Sequence, residues 1–373
     1  MNNLIEKRSE KFIKITKREG LEAIIAISPE NVFYSTGAYI MTQKNIRDRL
    51  AIAIFSEKYQ PSFIVCGIEE KLVKAQTWIS DISSYVEFKD SPIKFLIDRI
   101  LKMGFKKSRV GIEMQYLCAS DLINLRKGLP DVEFVECEHI FAEVRMIKEP
   151  QEINLLAKAA SATRKGAEAA FTTCNIGDTE KKLANQMIIN LFQQNADGLE
   201  FMVLATGKRT LLSHPIPNQT KLHKGDIVRV DYGGVFSGYL SDLARTAVVG
   251  KPNFVQVDTY KKLIHIEREL IENFQVGVQA CNIYKKWEEL FRKNGLYFST
   301  PHIGHGLGVG IHELPIISPL DKTAFQENMV INLEPLVIHK GFFYHLEDTI
   351  LITKKGPKIL TGADLNDQIP EIS

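Results

Sequence analysis

Between His302 and Glu313 the stretch "HIGHGLGVGIHELP" carries three histidines and four glycines. Imidazoles at that density hold a metal, move protons or pack, and the acids elsewhere in the chain decide among these. Two β-rich runs, "GDIVRVDYGGVFSGYLSDLARTAVV" and "ENMVINLEPLVIHKGFFYHLEDTILIT", each place two carboxylates among Val, Ile and Leu. Aligning "GDIVRVDYG" on "ENMVINLEP" puts Asp231 over Glu334, and the second strands put Asp242 over Glu347.

Residues that face each other in an antiparallel hairpin are equally far from its turn. Asp231 and Asp242 centre between Phe236 and Ser237, and Glu334 and Glu347 between Lys340 and Gly341. Each pair is therefore expected to sit roughly opposite across its ladder, with a bulge shifting it by at most one residue. Like charges opposed on apolar strands repel and need a cation between them. One such pair would read as solvated polar positions; two in matched register beside a histidine cluster favour metal. Four carboxylates and an imidazole form a mostly oxygen site for two divalent cations, suiting Mn²⁺, Co²⁺ or Zn²⁺ over a thiolate-seeking metal, with donor softness not choosing among the three. Two cations sharing a water lower its pKa from about 15.7 towards neutrality and polarise a carbonyl, so hydrolysis of an amide-like bond is the expected chemistry.

Other chemistries lack their signatures. The alternating Gly304, Gly306, Gly308 and Gly310 do not fit G-x-G-x-x-G, "HELPI" fails H-E-x-x-H, and no G-x-S-x-G is present. The glycines instead leave one face of an extended segment bare, where backbone is expected to approach metals or substrate. The five cysteines are widely spaced with no C-x-x-C pair and read as small core residues. Lys plus Arg number 47 against 45 Asp plus Glu, so charge gives no reason to invoke nucleic acid or an anionic membrane. No run approaches the roughly 18 apolar residues of a membrane span, and the amino-terminal segment reads as neither signal peptide nor anchor, so a cytoplasmic protein is expected.

A chain of 373 residues suggests two domains. Residues 1–145 mix helical stretches with strand-like "LEAIIAI", "RLAIAIF" and "PSFIVCG", an α/β pattern. The texture changes at "EINLLAKAASATRKGAEAAF", where Pro150 opens a long helix. Residues 146–373 then read helix, helix, hairpin twice over, an internal duplication.

This half resembles the metallopeptidases that include prolidase (Xaa-Pro dipeptidase), aminopeptidase P, methionine aminopeptidase and creatinase, whose fold is called pita-bread. Residues 1–145 resemble the smaller α/β domain that precedes it in creatinase and prolidase. The overall class implied is α/β (α+β), with a pseudo-two-fold pita-bread domain. The family's ligand order Asp, Asp, His, Glu, Glu falls on Asp231 in "VDYGG", Asp242 in "SDLART", His305 in "GHGLG", Glu334 in "NLEP" and Glu347 in "HLEDT". The resemblance implies that Asp231 chelates one metal, His305 and Glu334 the other, and that Asp242 and Glu347 bridge. It also implies substrate-side roles for His312 and for His214 in "LLSHPIPN", a short peptide substrate and a homodimer. Glu334 is assigned as general base on a metal-bridging hydroxide, and His302 reads as a hydrogen-bonded loop residue.

The chain departs from the pattern at Pro301, Leu336 and His345, the last standing where many relatives carry arginine two residues before the final glutamate. Arg229 is expected on the metal side. These departures leave hydrolysis intact and bear on proline specificity, so two hydrolase readings stay open: an Xaa-Pro dipeptidase or aminopeptidase, and a hydrolase of a small non-peptide amide of the ectoine or creatine kind. A binding module that has lost its ligands is disfavoured by the presence of all five. In the amino-terminal part, "SPENVFYSTGAYI" resembles the family's first strand and turn, and Arg47 or Arg49 is a candidate to reach a substrate carboxylate across a dimer, against a core or surface role that is favoured.

Overall fold

The structure, a computed structural model, describes residues 2–362 and 367–373. It divides into two compact units, Met1–Val144 and Arg145–Ser373.

In the first unit, short apolar runs form a six-stranded sheet of β1 (Ala23–Ala26), β2 (Ile52–Ser56), β3 (Ser62–Cys66), β4 (Asp81–Tyr85), β5 (Arg109–Ile112) and β6 (Glu133–Glu136), in the order β4-β3-β2-β1-β5-β6. The β1–β2 and β2–β3 pairs are antiparallel and the rest parallel. Strands β1 to β3 are buried throughout, which is why they read as continuous apolar runs. The segment "PENVFYST" is not a strand: it is a helix, Pro29–Thr36, capped by Ser28 through the Asn31 amide and ended by Gly37 at φ 81°. Serine, then proline at the first helical position, and a left-handed glycine after the last are helix boundary signals that outweigh the β-prone Val, Phe and Tyr between them. Arg49 makes a two-point ion pair with Glu87 (3.0 and 2.7 Å), and Arg47 donates to the Tyr116 carbonyl at 3.2 Å. Within the chain, both arginines have partners in their own unit.

The second unit repeats one plan. Helices Pro150–Thr173 and Glu180–Gln193 precede β7 (Gly198–Thr206), β8 (Ile227–Phe236), β9 (Tyr239–Leu240) and β10 (Leu243–Val249). Helices Phe254–Ile271 and Ala280–Lys293 precede β11 (Gly304–Gly306), β12 (Glu313–Ile316), β13 (Val330–Leu333), β14 (Leu336–His339), β15 (Phe342–His345), β16 (Asp348–Thr353) and β17 (Gly356–Ile359). The last strand, β18 (Glu371–Ile372), runs parallel to β10. The first helix opens on Pro150, with the Glu152 carboxylate accepting from the Glu149 amide at 2.8 Å. Each helix pair seals its half-sheet with its own apolar core, one around Leu183, Met187 and Val230, the other around Trp287, Phe325 and Ile350.

The two hairpins meet the register expectation differently. In the second, β13 pairs with β16 and β14 with β15 in one continuous register (Leu333 with Asp348, Leu336 with His345), leaving Glu334 and Glu347 level in the gap. Its turn is Lys340–Gly341, both at positive φ. In the first, Asp231 faces Ala244, not Asp242, because the turn is Ser237–Gly238, one residue later than the midpoint of the two acids. A two-residue hairpin turn of this kind needs positive φ at both centres, which glycine at the second position favours. The resulting offset is two residues, so Asp242 comes level with Gly233 and keeps the same face as Asp231.

Gly233 is where this offset is tolerated: a Cβ there would lie 1.9 Å from the Ser241 carbonyl oxygen. Gly233→Ala is expected to cost more than about 2 kcal/mol in urea unfolding; an unchanged midpoint would show that the strand yields freely.

Candidate metal centre

Asp231 projects from the middle of β8, whereas Asp242 sits in the break before β10 and Glu347 in the break before β16. The two halves are laced together at those breaks. The Glu347 amide donates to the Ala244 carbonyl (3.1 Å), the Thr246 hydroxyl donates to the His345 carbonyl and accepts from its amide (both 2.9 Å), and Arg245 donates to the Glu347 carbonyl (2.7 Å). Arg245 also pairs with Asp348 at 2.7 Å beneath the site. These bonds bring the second acid of each half to one point.

There Asp242, His305 and Glu347 form a buried group whose ligand atoms all lie within 4.8 Å of one another. His305 Nε2 is 3.6 Å from Asp242 Oδ2, 3.6 Å from Glu347 Oε1 and 3.9 Å from Glu334 Oε1. Asp231 lies outside this trio but within the electrostatic reach of Glu347 and Glu334. The His312 ring lies 4.1 Å from that of His305, tilted by 35°. His214 is exposed on the loop after β7 and makes no hydrogen bond or ion pair to the described residues of the cluster. The carbonyls just before it, of Leu212 and Ser213, accept from buried Arg229 at 2.9 and 2.5 Å, and the guanidinium lies 4.4 Å over the Phe343 ring. Arg229 therefore ties the His214 loop to the strand that carries Asp231.

Three contributors were not assigned from sequence. His302, read as a loop residue, has Nδ1 3.0 Å from Glu334 Oε1 and its ring 5.5 Å from that of His312. It belongs to the cluster, and its closeness to His305 was the only signal. His345 faces Glu334 Oε2 across 3.4 Å, and Asn332 donates to Glu347 Oε1 (3.0 Å) and to the Asp242 carbonyl (3.1 Å). Strand alternation from Glu334 and Glu347 points to both. The glycines also meet close protein neighbours. A Cβ on Gly304 would lie 2.3 Å from the Asn332 oxygen, on Gly306 2.3 Å from the Leu314 oxygen, and on Gly308 2.6 Å from Glu313 Oε2. They admit neighbouring protein atoms into the loop.

Burial and the Glu347 charge push the Asp231 carboxyl up to about 7, and burial with the same neighbour drives Asp242 well above its ordinary range. Burial would raise Glu334 too, but the His302 and His345 rings hold it well below. Burial disfavours a charged His305, yet Glu347 and Glu334 hold it above its usual value; desolvation and His305 lower His312. Asp242 Oδ1 is buried with no donor among the described residues. Acids crowded until they resist ionising, with an oxygen left unpartnered, fit divalent cations. No helix among the described residues is long and apolar enough to cross a membrane.

The description "Metallopeptidase family M24" matches residues 154–354, and "Creatinase/Prolidase N-terminal domain" matches residues 8–147. The chain belongs to metallopeptidase family M24. The Xaa-Pro dipeptidase of Pyrococcus furiosus is 28% identical over 96% of this chain and 99% of its own. A prolidase structure from Pyrococcus horikoshii superposes with a TM-score of 0.84 at 26% identity, covering 96% of this chain and 99% of that one. The fold is shared with an X-Pro aminopeptidase from Thermotoga maritima (TM-score 0.85, 22% identity, 98% and 99% covered). The pita-bread architecture, with its creatinase-type amino-terminal domain, is thereby established, and the M24 chain is a metal-dependent peptidase.

The raised acids fix a pH dependence. An aspartate whose folded pKa exceeds its unfolded value of about 3.8 adds stability that is full below that value and lost as pH rises through the folded one, here about 7 for Asp231. Chelated protein is expected to melt at least about 3 °C higher at pH 5 than at pH 8, and Mn²⁺ to raise the melting temperature more at pH 8. Differential scanning calorimetry checks this; a chelated protein more stable at pH 8 would contradict it.

Proposed function

We propose that this chain is a dinuclear metal-dependent Xaa-Pro peptidase, a dipeptidase or aminopeptidase, with its catalytic domain beginning at residue 146. The convergence of Asp242, Glu347 and His305 from both halves of the duplication carries the reading. Asp231, Asp242, His305, Glu334 and Glu347 would hold two divalent ions, with Mn²⁺ the first choice and Co²⁺ or Zn²⁺ as alternatives that the same oxygen-rich donor set also suits. When bound, the ions supply Lewis acidity, making a water nucleophilic near neutral pH and polarising the scissile carbonyl.

The chain's own residues do the rest. Glu334, with His302 3.0 Å and His345 3.4 Å from its two oxygens, is assigned as the proton acceptor. His312, with its pKa lowered, is neutral at pH 7, able to accept one hydrogen bond and donate another at the edge of the cluster. The exposed His214 is assigned to the substrate side, on a loop that Arg229 and the Arg209–Glu180 pair (3.1 Å) hold in place. The named activities of the Pyrococcus relatives support a short Xaa-Pro peptide as substrate. His345 beside Glu334 is the feature that favours keeping a small non-peptide amide as the second reading. A cytoplasmic homodimer completes the proposal, the homodimer carried by the resemblance and the location by the sequence's lack of a signal-peptide pattern or membrane-span run.

The test is a panel of Xaa-Pro and Xaa-Ala dipeptides, longer Xaa-Pro peptides and ectoine, assayed with Mn²⁺ and after chelation. Metal-dependent cleavage of Xaa-Pro bonds is expected; inertness with every metal, or cleavage of ectoine alone, would overturn the peptidase reading. Asp242→Asn or Glu347→Gln should lose metal and activity together. His312→Ala should retain metal while kcat falls on the order of 10²-fold, and plasma emission spectrometry of the purified variants separates the two outcomes.

A further inference from the structure

The His312 ring makes no hydrogen bond or ion pair with any described residue; its only recorded contacts are the rings of His305 and His302. What aims it must be its backbone, and the loop that holds that backbone closes around one buried carboxylate. Gly306 pairs with Glu313, so residues 307–312 bulge out between β11 and β12 with His312 as their last member. Glu313 Oε1 turns back into the bulge and accepts from the amides of Val309 (3.2 Å) and Gly310 (3.1 Å). Oε2 accepts from the Lys148 ammonium at 2.9 Å, and Arg145 Nε lies 3.4 Å from Oε1. The side chains of Glu313 and Lys148 are 2% and 1% exposed, so the pair is fully within the protein. Lys148 is itself fixed by its amide, which donates to the Asn328 carbonyl at 3.0 Å just ahead of β13. Gly308 makes the arrangement possible, because any Cβ there would collide with the carboxylate.

We propose that Glu313, anchored by Lys148, is a positioning residue that holds His312 against the metal cluster. Its carboxylate bonds to none of the cluster's ligand atoms, and it acts by fixing the backbone one residue before itself. A buried carboxylate gripped by an ammonium and two loop amides is a rigid fixture, since releasing any partner leaves a desolvated charge. Shifting a catalytic group by about 1 Å costs on the order of 10²-fold in rate. This inference rests on the substrate-side role given to His312 above, and the experiment separates the two.

Glu313→Gln, His312→Ala and the double variant are compared for kcat and KM on alanyl-proline with saturating Mn²⁺, with metal content and melting temperature measured on each. Lys148→Met and Lys148→Arg run in parallel, so that the cycle is completed from the Lys148 side if Glu313→Gln does not fold. Glu313→Gln and Lys148→Met are expected to keep their metal and to lose about 10-fold or more in kcat with KM moved much less. Lys148→Arg should restore most of the rate. In the His312→Ala background neither substitution should lower kcat further, because the residue they position is gone. Multiplicative losses in the double variant, or full kcat in both Glu313→Gln and Lys148→Met with metal retained, would overturn the proposal. If His312→Ala alone keeps wild-type kcat, it is the assigned role of His312 that fails, and this inference with it.

Discussion

The site is governed by repulsion among buried acids. Burial and the Glu347 charge make Asp231 and Asp242 resist ionising, and for Asp231 the His345 ring and the Arg229 guanidinium offset part of that. A chain that accepts such crowding needs compensating charge from outside its own sequence, and the cluster's shape and its unpartnered oxygen are the marks of that need. The duplicated architecture serves the same constraint. Each half contributes two acids, Asp231 within a strand and Asp242, Glu334 and Glu347 at breaks between strands, and the lacing of Ala244, Arg245 and Thr246 to residues 345–347 makes a single site of two half-sites. Because Arg245 grips the Glu347 carbonyl while pairing with Asp348 on the other face, the position of the acid is set from below.

Much of this was legible in the sequence because it is written in periodicities. The repeat of helix, helix and hairpin follows from apolar spacing, and the second hairpin's register follows from the symmetric placement of Glu334 and Glu347 about Lys340–Gly341. The first hairpin shows the limit. Symmetry about the midpoint of the acids gave way to turn chemistry, since Ser237–Gly238 accepts the left-handed conformation and drags the ladder along by two residues. The face survived because the slip is even.

What the pattern hid is contact between parts remote in the chain. No spacing rule tells that His302 faces Glu334, that Arg229 holds the carbonyls before His214, or that Lys148 reaches Glu313. The helix at Pro29–Thr36 was obscured by β-prone residues inside clear boundary signals, and the spacing of the alternating glycines did not reveal which protein atoms pack against them. Short-range rules recover elements and faces; which faces meet is decided by burial across the fold.

The most direct test of the central claim is anomalous diffraction from crystals grown with Mn²⁺. The account predicts two peaks, one flanked by Asp231, Asp242 and Glu347 and the other by Asp242, His305, Glu334 and Glu347. Maps showing no peak among these side chains at saturating metal, or a peak only elsewhere on the molecule, would contradict it.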